Sequence, residues 1–458
     1  MIRYTYFKLF FIVLFSINVL MYTYTTAGSF VRSDGWRFID IYLIPWFENK
    51  FEFFMLWFDH HPQPLTALAF IVNAEVFSLN MTYEALFGVF FQVLMSIILL
   101  KIYIKSIEKQ NLFTTFLFIV LLSILFSLNS SVKYDWSLVA LSNIALFLFF
   151  VLLYLFDKSE KWNISAFIGF FLATLFLSLI YIDISKIVIA TLLVIGFLAL
   201  VINKKLNSSY MRIILLLFII LVLQKLFLSF IGFQTEYKES LLIGLYDIFY
   251  NDFVGFLKSF SIGIANGVLN YNFLKELGFN DKSIELLAFG IMLLYIFTVY
   301  QFFNKKYWRY TWAPLSLITF SVLFCIAVIV YRYPPGDFSP YMVASPRNTK
   351  FFELGGIGVV WIIGMYIYFE SKNSIKYFYM AILLILLSLQ VYYVQKQWIF
   401  GLYLNKINSQ QVKLIQNYEE NLSKRPADWI IGGGGFSVED INFLKSMKLN
   451  VFADKYRE

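Results

Sequence analysis

The chain has 458 residues, of which 60% are hydrophobic, 21% aromatic and 14% charged. Soluble domains average about 25% charged residues, so this composition excludes a water-soluble globule and, equally, a disordered chain. One Cys and two His exclude a disulfide scaffold and nearly exclude a metal cage, which leaves a polytopic membrane protein.

A spanning helix needs about 20 mostly apolar residues. Arg3 and Lys8 open the chain, and an unbroken apolar run follows to Tyr24. It reads as a retained anchor; the small residues Thr26-Ala27-Gly28-Ser29 leave a cleaved signal peptide as the other reading. Segment 62–79 is apolar but short, starts with two prolines and carries Asn73 and Glu75. It is expected to be an interfacial or re-entrant helix. Further apolar runs lie near 83–106, 113–129, 137–156, 164–181, 186–202, 212–231, 284–303, 311–331, 351–369 and 375–396, making eleven spans with the first.

With that count, every loop on the side of the N-terminus is basic. These loops carry Lys101, Lys105 and Lys109; Lys158 and Lys161; Lys204, Lys205 and Arg212; Lys305, Lys306 and Arg309; Lys372 and Lys376. Basic loops stay cytoplasmic. The expected topology is therefore N-terminus inside and C-terminus outside, in a bacterial cytoplasmic membrane. The net charge of +8 reports anchoring to anionic lipid and not nucleic-acid binding. The chain divides into a transmembrane unit, 1–396, and a small outer tail, 397–458. No internal repeat is visible and charges within the spans are sparse, so a transporter or flippase is the weaker reading.

The outer loops, 27–82, 232–283 and 332–350, gather acids, including Asp34, Asp40, Asp59, Asp247 and Asp337. The first of them is the richest. It reads Ser33-Asp34-Gly35-Trp36-Arg37-Phe38-Ile39-Asp40, and later Asp59-His60-His61-Pro62-Gln63-Pro64-Leu65. A carboxylate at the membrane surface suits a general base, and Trp36 suits an interfacial site with its apolar body and polar edge. Asp34-Gly35 also reads as a turn or a helix cap. Asp59, His60 and His61 suit binding of a substrate phosphate or hydroxyl, a divalent metal, or a structural turn. No cofactor is indicated.

These residues resemble the GT-C superfamily of membrane glycosyltransferases. The shared features are an Asp close behind the first span, a horizontal segment, and an acid-His pair before a Pro-Leu helix. The closer resemblance is to bacterial multispanning members with an Asn-Glu-His-Arg motif in the first outer loop. Phe58-Asp59-His60-His61 keeps the acid and the first His and lacks the Asn and the Arg. Asp135-Trp136 with Asn143 is similar to a polar-Trp signature at an outer span end. Ser345-Pro346-Arg347-Asn348 stands where such proteins show Ser-Arg-Tyr. The resemblance implies an all-α fold and transfer of a sugar from a polyprenyl-phosphate donor on the outer face. The acceptor would be a glycan, a lipid or a protein, with Asp34 or Asp40 as general base. A polymerase or ligase of lipid-linked polysaccharide is the alternative.

In the last outer loop, Arg332, Arg347 and Lys350 lie within about 20 residues. They fit the phosphate of a lipid-linked leaving group, which Arg pairs through two oxygens; snorkelling to headgroups is the plainer role. Apolar spacing from Tyr246 to Phe260 predicts an amphipathic helix on the membrane. In the tail, Gly432-Gly433-Gly434-Gly435 predicts a hinge before a short helix, with Ser437 and Asp440 as a capping box.

Overall fold

The computed structural model describes residues 2–32, 35–57, 63–107, 109–129, 132–158, 164–203, 208–231, 250, 252–332, 343–369, 373–417 and 438–453. Every regular element among them is helical. The principal helices are α1 (Ile2–Thr26), α2 (Pro64–Phe77), α3 (Met81–Ser106), α4 (Leu112–Leu125) and α5 (Ser137–Phe156). Then come α6 (Ile164–Ile180), α7 (Ile182–Asn203), α8 (Ser208–Phe230), α9 (Phe253–Asn266) and α10 (Tyr271–Glu276). The chain closes with α11 (Asp281–Asn304), α12 (Ala313–Arg332), α13 (Thr349–Phe369), α14 (Asn373–Gln416) and α15 (Val438–Ser446).

Among the described residues, nine helices are long and apolar enough to cross a membrane: α1, α3, α5, α7, α8, α11, α12, α13 and α14. The protein is an all-α multi-pass membrane protein. Two expected spans are shorter helices, α4 with 14 residues and α6 with 17. At 1.5 Å per residue, α4 rises about 21 Å, short of a hydrocarbon core of about 30 Å. Its apolar run continues in sequence, but the Ser127 hydroxyl takes the Asn129 N–H at 3.1 Å and turns the chain.

Helix starts are set by side chains. Asn80 caps α3 by accepting the Thr82 N–H, and Asn111 and Thr114 form a reciprocal capping box on α4. Asp252 caps α9 through the Gly255 N–H at 2.8 Å. α9 runs from Phe253 to Asn266; of the expected helix from Tyr246 to Phe260, residues 246–249 and 251 lie outside the described residues and Tyr250 is helical. Its Ser259, Ile262 and Ile264 are buried in protein, so its second half packs into the bundle, while Phe253 and Val254 at its start are exposed.

Close backbone approach is bought by small residues, as membrane helix pairs require. A Cβ on Gly88 of α3 would sit 2.3 Å from the Ala140 carbonyl carbon of α5. One on Gly267, after α9, would sit 2.3 Å from the Phe352 carbonyl oxygen of α13.

The helices share two ends. At one, Lys105 donates to the Asp157 carbonyl, Thr311 and the Trp312 N–H donate to the Asp157 carboxylate, and Tyr307 and Tyr310 stack on Phe369. The loops after α3, α5, α11 and α13 therefore meet there. At the other end, Trp57 donates to Leu179 O, Thr82 to Ala27 O, and Asn450 to Ser29 O and Leu79 O. A second core forms at this end from Phe30, Val31, Trp36, Tyr42 and Trp57 with Ile415, Ile441, Leu444, Val451 and Phe452. The first loop and the tail thus fold together as a cap. The last helix does not stop near residue 396; α14 runs for 44 residues to Gln416 and ties into the cap through Asn408 and Gln416.

Candidate functional site

The cap end of the bundle holds a group of buried charges, and each is placed by a helix start. Pro346 opens a short 3-10 turn, Pro346–Asn348, that leads into α13 and delivers Lys350 in its first turn and Glu353 just after it. Glu353 suits the positive end of the helix dipole; Lys350 opposes it. A separate turn, Val132–Asp135, brings Lys133 against Glu353. The Lys133 ammonium reaches both carboxylate oxygens, at 2.5 and 2.7 Å, and the two side chains are only 2% and 3% exposed.

Lys350, also buried, donates to the Val139 carbonyl and the Ser142 hydroxyl at the break in α5. It is repelled by Lys133 and attracted by Glu353. The group thus sets two amines against one carboxyl. Burial holds the Lys133 amine below the usual lysine range, with Glu353 working the other way.

Amides surround this group. Asn266 donates to Thr349 at 3.0 Å, and Asn270 donates to the Asn129 carbonyl at 2.5 Å. The buried Asn129 side-chain amide and the Asn348 Nδ2 have no partner among the described residues. Toward the first loop, Arg32 donates to Asn408 at 2.6 Å and interacts with Asp135. Glu84 accepts from Asn73 at 3.0 Å and from Ser137. Arg32, Gly35, Asp135, Trp136 and Ser137 line a cavity of only about 10 Å³, about one water's worth of room. The Arg32–Asp135 side of the polar group is thus closely packed.

The expected residues fall out as follows. Lys350 and Arg347 lie in this group, Lys350 buried and Arg347 half-buried. Arg332 ends α12. Trp36 is fully buried in the cap core, so its ring packs between loop and tail and is not at an interface. Asp40 is exposed on the π-turn Ile39–Leu43, with no hydrogen bond or ion pair to the buried group. In the same core, burial pushes the Tyr42 hydroxyl up to about 12. Asp34, Asp59, His60 and His61 lie outside the described residues, as do Gly432–Gly435 and Ser437; Asp440 of the capping box is buried in α15.

Sequence reading missed Lys133, Glu353, Arg32 and Glu84. A usable signal existed for two of them: Glu353 is the one acid within the run 351–369, and Lys133 is a cation between two apolar runs on the acidic side. Ionisable residues at such positions mark sites by default. Among the described residues no group of three or more His, Cys, Asp or Glu could hold a metal ion. Compared with protein-family models and with curated proteins, the chain has a match in neither.

Proposed function

We propose that the protein is a membrane glycosyltransferase of GT-C-like architecture. It takes a sugar from a polyprenyl-phosphate donor and passes it to a glycan, lipid or protein acceptor on the outer face of a bacterial cytoplasmic membrane. The observation that carries this reading is the buried Lys133–Glu353–Lys350 group, two amines on one carboxyl. A buried charge needs a partner, and the donor's phosphate supplies one through charge-assisted hydrogen bonds.

Orientation follows from the sorting of loops. The segments around Lys105, Lys158, Lys305 and Arg309 meet at the end away from the cap, and basic loops stay cytoplasmic. The N-terminus is then inside and the tail outside. Eleven crossings are supported by α4 and α6. Tyr103 of α3 bonds Thr114 O at the start of α4, and Gln92 bonds Leu125 O at its end, so the two helices run side by side. α6 leaves the Lys158 loop and reaches Trp57 and Gln224 at the cap.

In this reading an outer-loop carboxylate, Asp34 or Asp40, removes the proton from the acceptor hydroxyl. The acceptor oxygen bonds to the sugar's anomeric carbon as the bond from that carbon to the phosphate oxygen breaks. The polyprenyl phosphate leaves carrying the electron pair. Lys350, Lys133 and Arg347 hold its negative charge, where preorganised donors are worth most.

The test is mass spectrometry of surface glycans from cells with the chain, without it, and with Lys350→Met, Asp34→Ala or Asp40→Ala. Loss of one sugar from an otherwise unchanged ladder supports the reading. Collapse of the ladder supports a polymerase or ligase of lipid-linked polysaccharide instead. Glycans unchanged by deletion of the chain overturn both.

A further inference from the structure

A second cavity is remote from the cap. It lies at the opposite end, between α1, α4 and α14, with a volume of about 840 Å³. That is within the range of ligand-binding sites, which run from about 300 to 1,000 Å³. Its wall is Phe7 and Phe11 of α1, Phe116 and Ile119 of α4, and Met380 and Leu384 of α14. Phe7, Leu112 and Leu384 on its rim are exposed, so the groove opens sideways, toward lipid, and follows the helices inward from their ends.

Positive charge gathers at its mouth. Arg3 lines the groove and is exposed. Behind the wall lies Lys8, with no exposed surface at all. Its ammonium has one partner among the described residues, the Thr115 hydroxyl at 3.2 Å, and Thr115 itself lines the groove. Lys8 also faces the first turn of α4, the positive end of a 14-residue helix. A buried cation with one neutral partner, set at a helix N-terminus, is missing an anion. Among the described residues no Asp or Glu lines the groove.

We propose that this groove binds one anionic diacyl phospholipid of the adjoining leaflet. The acyl chains lie against Phe7, Phe11, Phe116, Ile119 and Leu384. The phosphate sits at Arg3, with the Lys8 ammonium behind it on Thr115. Basic pockets between membrane helices recognise anionic headgroups in this way, and the apolar wall selects a lipid over a free phosphate. The inference stands on geometry remote from the cap and is independent of the proposed reaction.

The experiment is native mass spectrometry of the full chain released from nanodiscs of equimolar phosphatidylglycerol and phosphatidylcholine. The wild type is expected to retain phosphatidylglycerol over phosphatidylcholine by about thirtyfold, from two cations acting together. Arg3→Gln with Lys8→Met is expected to bring the two lipids to parity. Ile119→Trp fills the groove and leaves the charges intact; it is expected to lose both lipids. Should Lys8→Met fail to fold, Arg3→Gln and Ile119→Trp carry the test. Retention of both lipids in the proportion supplied overturns the proposal. So does an undiminished preference in Arg3→Gln, or a second copy of the chain in place of lipid.

Discussion

The two ends of the bundle use charge in opposite ways. At the loop end, Lys105, Lys305 and Arg309 lie near the surface and touch carbonyls or aromatic faces. At the cap end, Lys133, Lys350 and Glu353 are buried against one another. In the proposed topology the exposed charges at the first end work during insertion, by holding loops on one side. Charges at the second end cost desolvation in the finished protein, and a chain keeps such a cost where the charges meet a ligand. In the proposed function the exposed cations orient the protein and the buried cap group serves its chemistry; Lys8, buried at the loop end, belongs to the lipid groove instead.

The sharpest way to break this contrast is Glu353→Ala, which leaves Lys133 and Lys350 buried without an acid. Loss of one partner of a buried pair costs ~3–5 kcal/mol, read as a shift in the denaturation midpoint of the purified chain. The double change Lys133→Met with Glu353→Met is expected to recover most of that stability and none of the glycan product. Full product from the double variant would make the pair scaffold only.

Next is Gly267→Ala. Its Cβ would press on the Phe352 carbonyl beside Glu353, an overpacking cost of ~1–3 kcal/mol. Glycan output per folded molecule should fall with it, because the first turn of α13 shifts.

The matching test at the loop end is Asp157→Asn, expected to cost ~1.5 kcal/mol by weakening its bonds to Thr311 and Trp312, with glycan output per folded molecule unchanged. Burial holds the Asp157 carboxyl above the usual carboxylate range, with the bonds from Thr311 and Trp312 opposing. The folded chain therefore binds this proton more tightly than the unfolded chain does. Its contribution to stability is fullest at low pH and is lost as pH rises through the raised pKa. Unfolding followed against pH should show that slope in the wild type and a flatter one in Asp157→Asn. The smallest effect belongs to Lys50→Ala, which removes an exposed 2.6 Å pair with Glu48 and should change stability by less than ~1 kcal/mol.

Much of the fold was legible in the sequence, because spanning helices are written as long apolar runs and the loops carry their own charge signs. The runs at 83–106, 137–156 and 284–303 sit close to α3, α5 and α11. What hydropathy could not show was where a helix stops for reasons other than polarity. Ser127 ends α4 early, and nothing apolar or polar ends α14 near 396. The polar group was half legible. Lys350 and Arg347 were visible as cations in an outer loop. Their partner Lys133 comes from a turn 220 positions before Glu353, and no local pattern records that pairing.

The 44-residue α14 has a mechanical consequence. At 1.5 Å per residue it is a rod about 66 Å long, more than twice the hydrocarbon thickness of about 30 Å. It is riveted to α1 by Trp398 on Asn18 and by Asn408 on the Thr26 carbonyl, and to the cap by Gln416 on Val451. The distance from the cap to the opposite end of the bundle is therefore fixed by a continuous strut. A thinner bilayer changes the tilt of the strut, and with it how far the cap stands from the headgroups.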